Sequence, residues 1–223
     1  MSRPAVIFDV DGVLVDSYRA HFQSWTQLFR ELGLPLSEAE FAASFGRTSR
    51  EILRQKLGDE ASDPRIRALD ERKEMLYRGL FRENSSVMPG AIDLLDALAA
   101  DGFALGVGSS GPAANVDVAI ELIGRRSLFT AIVSGADVIR GKPDPQVFLL
   151  GAQRLGIPPA LCAVVEDAAA GVQAANRAGM VSIGLVGTTT RERLAHARMV
   201  LDRLSELTPH GVRRLLEAGA TGC

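Results

Sequence analysis

Carboxylates, serines and a lysine stand in four short segments whose residue types suit chemistry on a phosphorylated ligand. The first is Asp9-Val10-Asp11-Gly12-Val13-Leu14-Val15-Asp16-Ser17, directly after an apolar run. Two carboxylates two residues apart point alternately if a strand continues. The glycine that follows turns the chain, so Asp9 can face a crevice with the Asp11 side chain and carbonyl folded around the same point. Taken alone, such a pair also fits a loop with acidic caps. The second segment, Gly108-Ser109-Ser110-Gly111, offers hydroxyls and backbone N–H groups to a phosphate, with a helix N-terminus just beyond. The third, Gly141-Lys142-Pro143-Asp144-Pro145, holds a lysine between turn residues, which makes its ammonium a positioned point charge. The fourth is Glu166-Asp167-Ala168-Ala169-Ala170-Gly171. Each is ordinary by itself: serines populate loops, a lone lysine is solvated, and Glu-Asp caps helices. Together they close successive apolar runs in chain order.

Those runs set the architecture. Ala5–Val10, Ala104–Ser109, Ala131–Ser134, Leu161–Glu166 and Val181–Val186 are short, largely apolar runs with small or acidic residues toward their ends, the pattern of strands buried on both faces. Between them the period changes to that of helices. Ile92, Leu95 and Leu98 share a face after Pro89-Gly90, Val116, Ile120 and Ile123 share another before Gly124, and Phe148, Ala152 and Leu155 a third before Gly156. Strand–helix alternation predicts an α/β fold, a Rossmann-like parallel sheet with helices on both faces. From about Ser17 to Met88 the alternation stops and only helical patterning remains. Phe22, Trp25, Phe29 and Leu32 precede Gly33, and Ile52, Leu53 and Leu57 precede Gly58. This predicts an α/β core of residues 1–16 and 89–223 with an all-helical domain, residues 17–88, inserted after the first strand. Ligands of such sheets bind at the carboxyl ends of strands, so an insertion there can serve as a lid.

Composition narrows the function classes. The chain has 223 residues, 47% hydrophobic and 23% charged, with a formal net charge of −2. It carries no basic field of the kind that attracts nucleic acid. No apolar stretch approaches the roughly 20 residues of a spanning helix, and no charged-then-apolar leader opens the chain. Two cysteines, Cys162 and Cys223, make no disulfide framework. The expectation is a cytoplasmic protein, monomeric by default, with a small-molecule partner and neither nucleic acid nor membrane. Lysine is scarce, with Lys56, Lys73 and Lys142 the three among 25 basic residues.

The four segments as a set resemble the motifs of the haloacid dehalogenase superfamily of aspartyl-phosphate-forming hydrolases, and the helical insert resembles that family's cap. Asp16 and Ser17 with His21 and Trp25 resemble its beta-phosphoglucomutase-type branch of sugar-phosphate enzymes. The resemblance reaches the tail, where Met199–Leu207 is similar to the family's final strand and loop. It implies that Asp9 attacks phosphorus, and that Asp11 protonates the leaving oxygen and later deprotonates water. It also implies Mg2+ held by the Asp9 carboxylate, the Asp11 carbonyl and Asp167, with Glu166 behind them or as an alternative ligand. Ser109, the Ser110 backbone and Lys142 would take the phosphate oxygens. The carbon–halogen enzymes of the family lack a carboxylate at the position of Asp11, because halide leaves without a proton. An alkoxide needs one, which favours phosphate esters: a phosphatase of small phosphorylated metabolites, with a sugar phosphomutase as the alternative.

Two departures stand out. Ala168 occupies a position where many relatives carry serine or threonine, and the segment 46–51 looks one residue longer than its mutase counterpart. Arg47 and Arg50 therefore compete for a substrate-phosphate contact, and either could equally be a solvated arginine at a helix start. His21 is either a residue that orients the general acid or a structural histidine one turn from Trp25. Lys73 is either a substrate contact or part of an exposed helix laced by ion pairs.

Overall fold

Continuously apolar strands need cover on both faces, and the computed structural model, which describes residues 3–44, 48–58 and 61–220, provides it. The chain divides into two units, one of Met1–Asp16 with Val87–Cys223 and one of Ser17–Ser86. In the first unit, β1 (Ala5–Phe8) is the central strand. The chain then passes through β2 (Val15–Asp16) and the helices α1 (Tyr18–Glu31), α2 (Glu38–Ser44), α3 (Ser49–Leu57) and α4 (Asp63–Asn84), returning by β3 (Ser86–Val87). After it come α5 (Ala91–Ala100), β4 (Ala104–Gly108), α6 (Ala113–Ile123), β5 (Phe129–Val133), α7 (Gln146–Leu155) and β6 (Cys162–Glu166). The chain ends with α8 (Ala169–Arg177), β7 (Val181–Leu185), β8 (Met199–Leu201) and α9 (Pro209–Ala220).

The main sheet has the order β5-β4-β1-β6-β7-β8 with every pairing parallel. The chain builds outward from β1 through β4 to β5, then crosses back to lay β6 on the other side of β1. The strand order therefore reverses between β1 and β6, and the crevice beyond their carboxyl ends is where open α/β sheets bind ligands. Register fixes the height of the chemistry there: Phe8 pairs with both Val107 and Val165, so Asp9, Gly108 and Glu166 leave the sheet at one level.

One face of the sheet is sealed by α7 and α8. Ala5, Ile7, Ala104, Val133, Cys162 and Val164 pack there against Val147, Phe148 and Ala152 of α7, Ala174 and Ala175 of α8, and Ala178 just past it. Residues of the other parity, such as Val6 and Phe8, are buried as completely. Each such large side chain contributes roughly 1.5–3 kcal/mol by leaving water. The helices stop as the glycines dictate, α6 at Gly124 and α7 at Gly156, both left-handed.

In the helical unit, α1 and α3 pack against α4. Trp25, Leu28, Phe29, Phe41, Leu53 and Ile66 form its core. Helix α3 begins with a reciprocal cap in which Thr48 Oγ1 accepts from Glu51 N–H and the Glu51 carboxylate accepts from Thr48 N–H. The two-residue strands β2 and β3 pair as a ribbon where the chain leaves and re-enters the first unit. Two residues are too few for a period, which is why sequence shows only helices in that region. No helix among the described residues is long and apolar enough to cross a membrane.

Candidate active site

At the β1–β6 switch point three buried carboxylates and one ammonium meet. Asp9 follows β1 directly and its N–H bonds to the Val165 carbonyl at 3.0 Å, which extends the sheet by one residue. Glu166 ends β6, and Asp167 comes next. Ligand oxygens of Asp9, Glu166 and Asp167 all lie within 4.8 Å of one another, and the residues are 8%, 1% and 3% exposed. Lys142 Nζ donates to Asp9 Oδ1 at 2.7 Å and to Glu166 Oε1 at 2.6 Å. It also lies 4.9 Å from the centroid of the Phe148 ring, in cation–π range.

The loop that delivers Lys142 is tied at several points. Its Lys142–Pro143 peptide is cis. Gln146 Oε1 accepts from the N–H groups of Ile139 and Arg140, Asp144 N–H bonds to the Gly141 carbonyl, and Arg177 on α8 donates to the Pro143 carbonyl at 3.0 Å.

Charge and burial decide the protonation of this cluster. Burial pushes the Asp9 carboxyl up to about 7, against the pull of Lys142, with Glu166 and Asp11 adding to the rise. Burial also lifts Asp167 well above the usual carboxylate range, helped by the carboxylates of Glu166 and Asp9. For Lys142 burial acts downward, but the neighbouring Asp9 and Glu166 outweigh it and hold the ammonium above its ordinary value. Three carboxylates around one ammonium leave a deficit of positive charge. Hard oxygen donors with that deficit fit a divalent cation of the magnesium class. Glu166 is the member least available to it, since one oxygen takes Lys142 and the other takes Ala168 N–H at 2.8 Å.

Two glycines make room for these carboxylates. Gly12 has φ +76°, and a Cβ there would stand 2.9 Å from Asp167 Cγ and 2.8 Å from Thr188 Cγ2. At Gly171, in the first turn of α8, a Cβ would come within 2.6 Å of Glu166 Cγ and closer still to its carboxyl. Gly171→Ala is therefore expected to displace Glu166 and lower turnover at least about 100-fold, because small misplacements at a reacting centre cost that much. Wild-type kinetics in this variant would show that Glu166 does not need its present position.

On the opposite side of Asp9, Ser109 Oγ accepts from Gly111 N–H at 3.0 Å, and Ser109 N–H bonds to the Val133 carbonyl. Two of the loop's amides are therefore engaged within the protein, leaving the Ser109 hydroxyl hydrogen and the Ser110 amide as the phosphate donors to consider. The Asp11 carboxylate is on this side, for a Cβ at Gly111 would lie 3.3 Å from Ser109 Oγ and 3.9 Å from Asp11 Oδ2. Gly135 N–H, after β5, donates to the Gly111 carbonyl at 2.8 Å and braces the loop.

Residues 4–179, which hold all of this cluster, match the haloacid dehalogenase-like hydrolases. The chain belongs to that family. It is 33% identical over 208 residues to validoxylamine A 7'-phosphate phosphatase of Streptomyces hygroscopicus subsp. limoneus, covering 92% of this chain and 96% of that protein. It is 35% identical over 204 residues to hexitol phosphatase A of Escherichia coli K12, covering 91% and 92%. The solved structure of beta-phosphoglucomutase from Clostridium difficile superposes with a TM-score of 0.88 at 25% identity, covering 99% of this chain and all of that one. The family's hydrolases generally use a divalent metal, and the buried acidic triad Asp9, Glu166 and Asp167 is present in this member.

The helical unit gathers a second polar group. Lys73 Nζ lies 3.1 Å from His21 Nδ1 and donates to Glu74 Oε1 at 3.0 Å, which also accepts from Ser49 Oγ at 2.8 Å. His21 stacks on Tyr77 with ring centroids 4.0 Å apart, while Lys73 stands over the rings of Trp25 and Tyr77. Lys73 is 2% exposed and paired with Glu74, so of the two readings weighed for it from sequence the exposed position is not what forms. Trp25 packs in the core of the unit. Arg50 is exposed and pairs with Asp70 at 3.1 Å. Arg47 lies outside the described residues.

Sequence reasoning did not single out Thr188 or Glu74, and it placed Phe148 only on the apolar face of a helix. Thr188 Oγ1 donates to the Asp167 carboxylate. A cue was available in Gly187-Thr188-Thr189-Thr190, a hydroxyl-rich stretch just past an apolar run.

Proposed function

We propose that this protein is a magnesium-dependent phosphatase of small phosphorylated metabolites, sugar phosphates or short phospho-acids, working through an aspartyl-phosphate. The observation that carries the reading is the Asp9–Lys142–Glu166–Asp167 cluster at the strand-order switch. A carboxylate oxygen of Asp9 attacks phosphorus, the P–O bond to the leaving group breaks, and Asp11 gives its proton to the departing alkoxide. Asp11, now a base, takes a proton from water, whose oxygen attacks phosphorus. Inorganic phosphate leaves and the Asp9 carboxylate is restored. Throughout, the Ser109 hydroxyl, the Ser110 amide and the Lys142 ammonium hold the phosphate oxygens, and Lys142 offsets the charge of the transferring group. Asp9, the Asp11 carbonyl and Asp167 would hold the magnesium ion, with Glu166 anchoring Lys142. When bound, the ion supplies the positive charge that lets an anionic nucleophile approach an anionic ester.

A sugar phosphomutase shares the first half-reaction and returns the phosphoryl group to a second hydroxyl. The contact between His21 and Lys73 favours keeping it, because the mutase-like branch uses such a histidine to orient the general acid. His21→Ala and Lys73→Ala are expected to change rates selectively among substrates.

A phosphate-release screen across phosphorylated metabolites, including both anomers of glucose 1-phosphate with and without a bisphosphate primer, separates the two. Free phosphate without isomer supports the phosphatase. Primer-dependent glucose 6-phosphate with little free phosphate would establish the mutase instead. In either case EDTA is expected to stop the reaction and added Mg2+ to restore it, and unchanged rates in EDTA would remove the metal from the mechanism.

A further inference from the structure

We propose that Thr188 is a positioning residue of the acidic cluster, its hydroxyl holding the Asp167 carboxylate in the orientation that receives a divalent cation. The inference rests on the cation reading above and extends it to a residue outside the four strand-end segments.

Thr188 sits three residues past β7, the strand beside β6, with Glu166 of β6 in register with Gly184 of β7. Its Oγ1 donates to Asp167 Oδ2 and lies 3.4 Å from the Asp167 carbonyl oxygen. A threonine hydroxyl has one hydrogen to give. The carboxylate oxygen is the nearer and the more negative acceptor, so it takes that hydrogen. Gly12 closes the arrangement from another direction, since a Cβ added there would meet Asp167 Cγ at 2.9 Å and Thr188 Cγ2 at 2.8 Å. The Gly12 backbone, the Asp167 carboxyl and the Thr188 methyl thus meet with no space for another atom. A carboxyl group whose Oδ2 is fixed both by the Thr188 hydrogen bond and by the close approach of Gly12 presents its other oxygen in a single direction.

The local sequence shows why this falls to Thr188. The residue after Asp167 is Ala168, which has no hydroxyl, and its N–H is committed to Glu166 Oε2. The hydroxyl on Asp167 comes instead from 21 residues further along the chain. Groups of this kind, bonded to ligands rather than to the ion, govern affinity because they determine whether the ligand oxygen is in place before the ion arrives.

Calorimetric titration of the metal-free full chain with MgCl2, together with its melting temperature, tests the assignment. Thr188→Val keeps the branched shape and removes the hydroxyl, while Thr188→Ser keeps the hydroxyl and removes the methyl. Thr188→Val is expected to weaken Mg2+ binding about 10-fold or more and Thr188→Ser by no more than about 3-fold, with metal-free melting temperatures unchanged. Wild-type affinity in Thr188→Val overturns the proposal. Equal weakening in both variants overturns it as well, because packing and not the hydroxyl would then matter. So does a drop in metal-free stability that accounts for the lost affinity. Absence of Mg2+ binding by the wild-type chain would overturn the cation reading itself and the role of Thr188 with it, whereas wild-type binding with an unaffected Thr188→Val removes the role of Thr188 alone.

Discussion

Asp9→Asn is expected to lower phosphate release by about 10⁴-fold or more while leaving the fold in place, because the amide has the carboxylate's shape and almost none of its nucleophilicity. The side chain sits in a pocket that tolerates a neutral group well. Burial, with Glu166 and Asp11 adding to it, pushes its carboxyl up to about 7 against the pull of Lys142, and an amide oxygen can still accept from Lys142 Nζ, which stands 2.7 Å from Oδ1. The sign of the stability effect follows from that shift. A carboxyl whose folded value is raised from 3.8 to about 7 adds stability below the lower value and loses it as pH rises through the upper one. Asparagine does not titrate. In EDTA, the variant should therefore gain stability relative to wild type as pH is raised from 4 to 8, as read from urea midpoints. Substantial activity beyond what deamidation to aspartate supplies would refute the nucleophile assignment, and parallel pH profiles would refute the protonation assignment.

The second large effect belongs to Lys142. Lys142→Ala is expected to abolish turnover with every substrate and to destabilise the metal-free protein by about 3–5 kcal/mol, the usual cost of stranding buried partners of an ion pair. Both Asp9 and Glu166 lose their ammonium, and neither has bulk water to replace it. The loss should be larger at pH 8 than at pH 5. At pH 5 the Asp9 carboxyl is mostly protonated even beside Lys142, so less charge is stranded there. Lys142→Arg should restore part of the stability and little activity, since a planar fork cannot occupy the compact site between Asp9, Glu166 and the Phe148 ring. Retained activity with any one substrate would separate Lys142 from the phosphate-binding role proposed for it.

Much of the frame was legible before any coordinates. Ala5–Val10 and Leu161–Glu166 read as strands buried on both faces because each has at least four consecutive apolar residues before its carboxylate, and β1 and β6 form there. Gly124 and Gly156 marked helix ends that the left-handed caps realise. The four segments as a set drew attention to Asp9, Lys142, Glu166 and Asp167, since each alone also fits a capped loop, a solvated lysine or a helix cap. Lys73 had two readings, and its burial was not legible. Its neighbours Glu71, Arg72 and Glu74 suggest an exposed helix, and nothing local announces that His21, Trp25 and Tyr77 close over it.

The amino-acid sequence by itself therefore determined the strand–helix alternation of the α/β core, and it marked the carboxylates and the lysine that the structure gathers at the β1–β6 switch. Each of these depends on periodicity or residue type within a dozen positions. Tertiary structure decided the rest. Strand order and register brought Asp9, Lys142 and Glu166 together across more than 130 residues of chain, with Lys142 bridging the two carboxylates. They also carried Thr188 back onto Asp167 and let burial raise the Asp9 carboxyl to about 7. Those outcomes depend on which strand lies beside β1 and how much water is left between them, and neither is written in any local stretch of the chain.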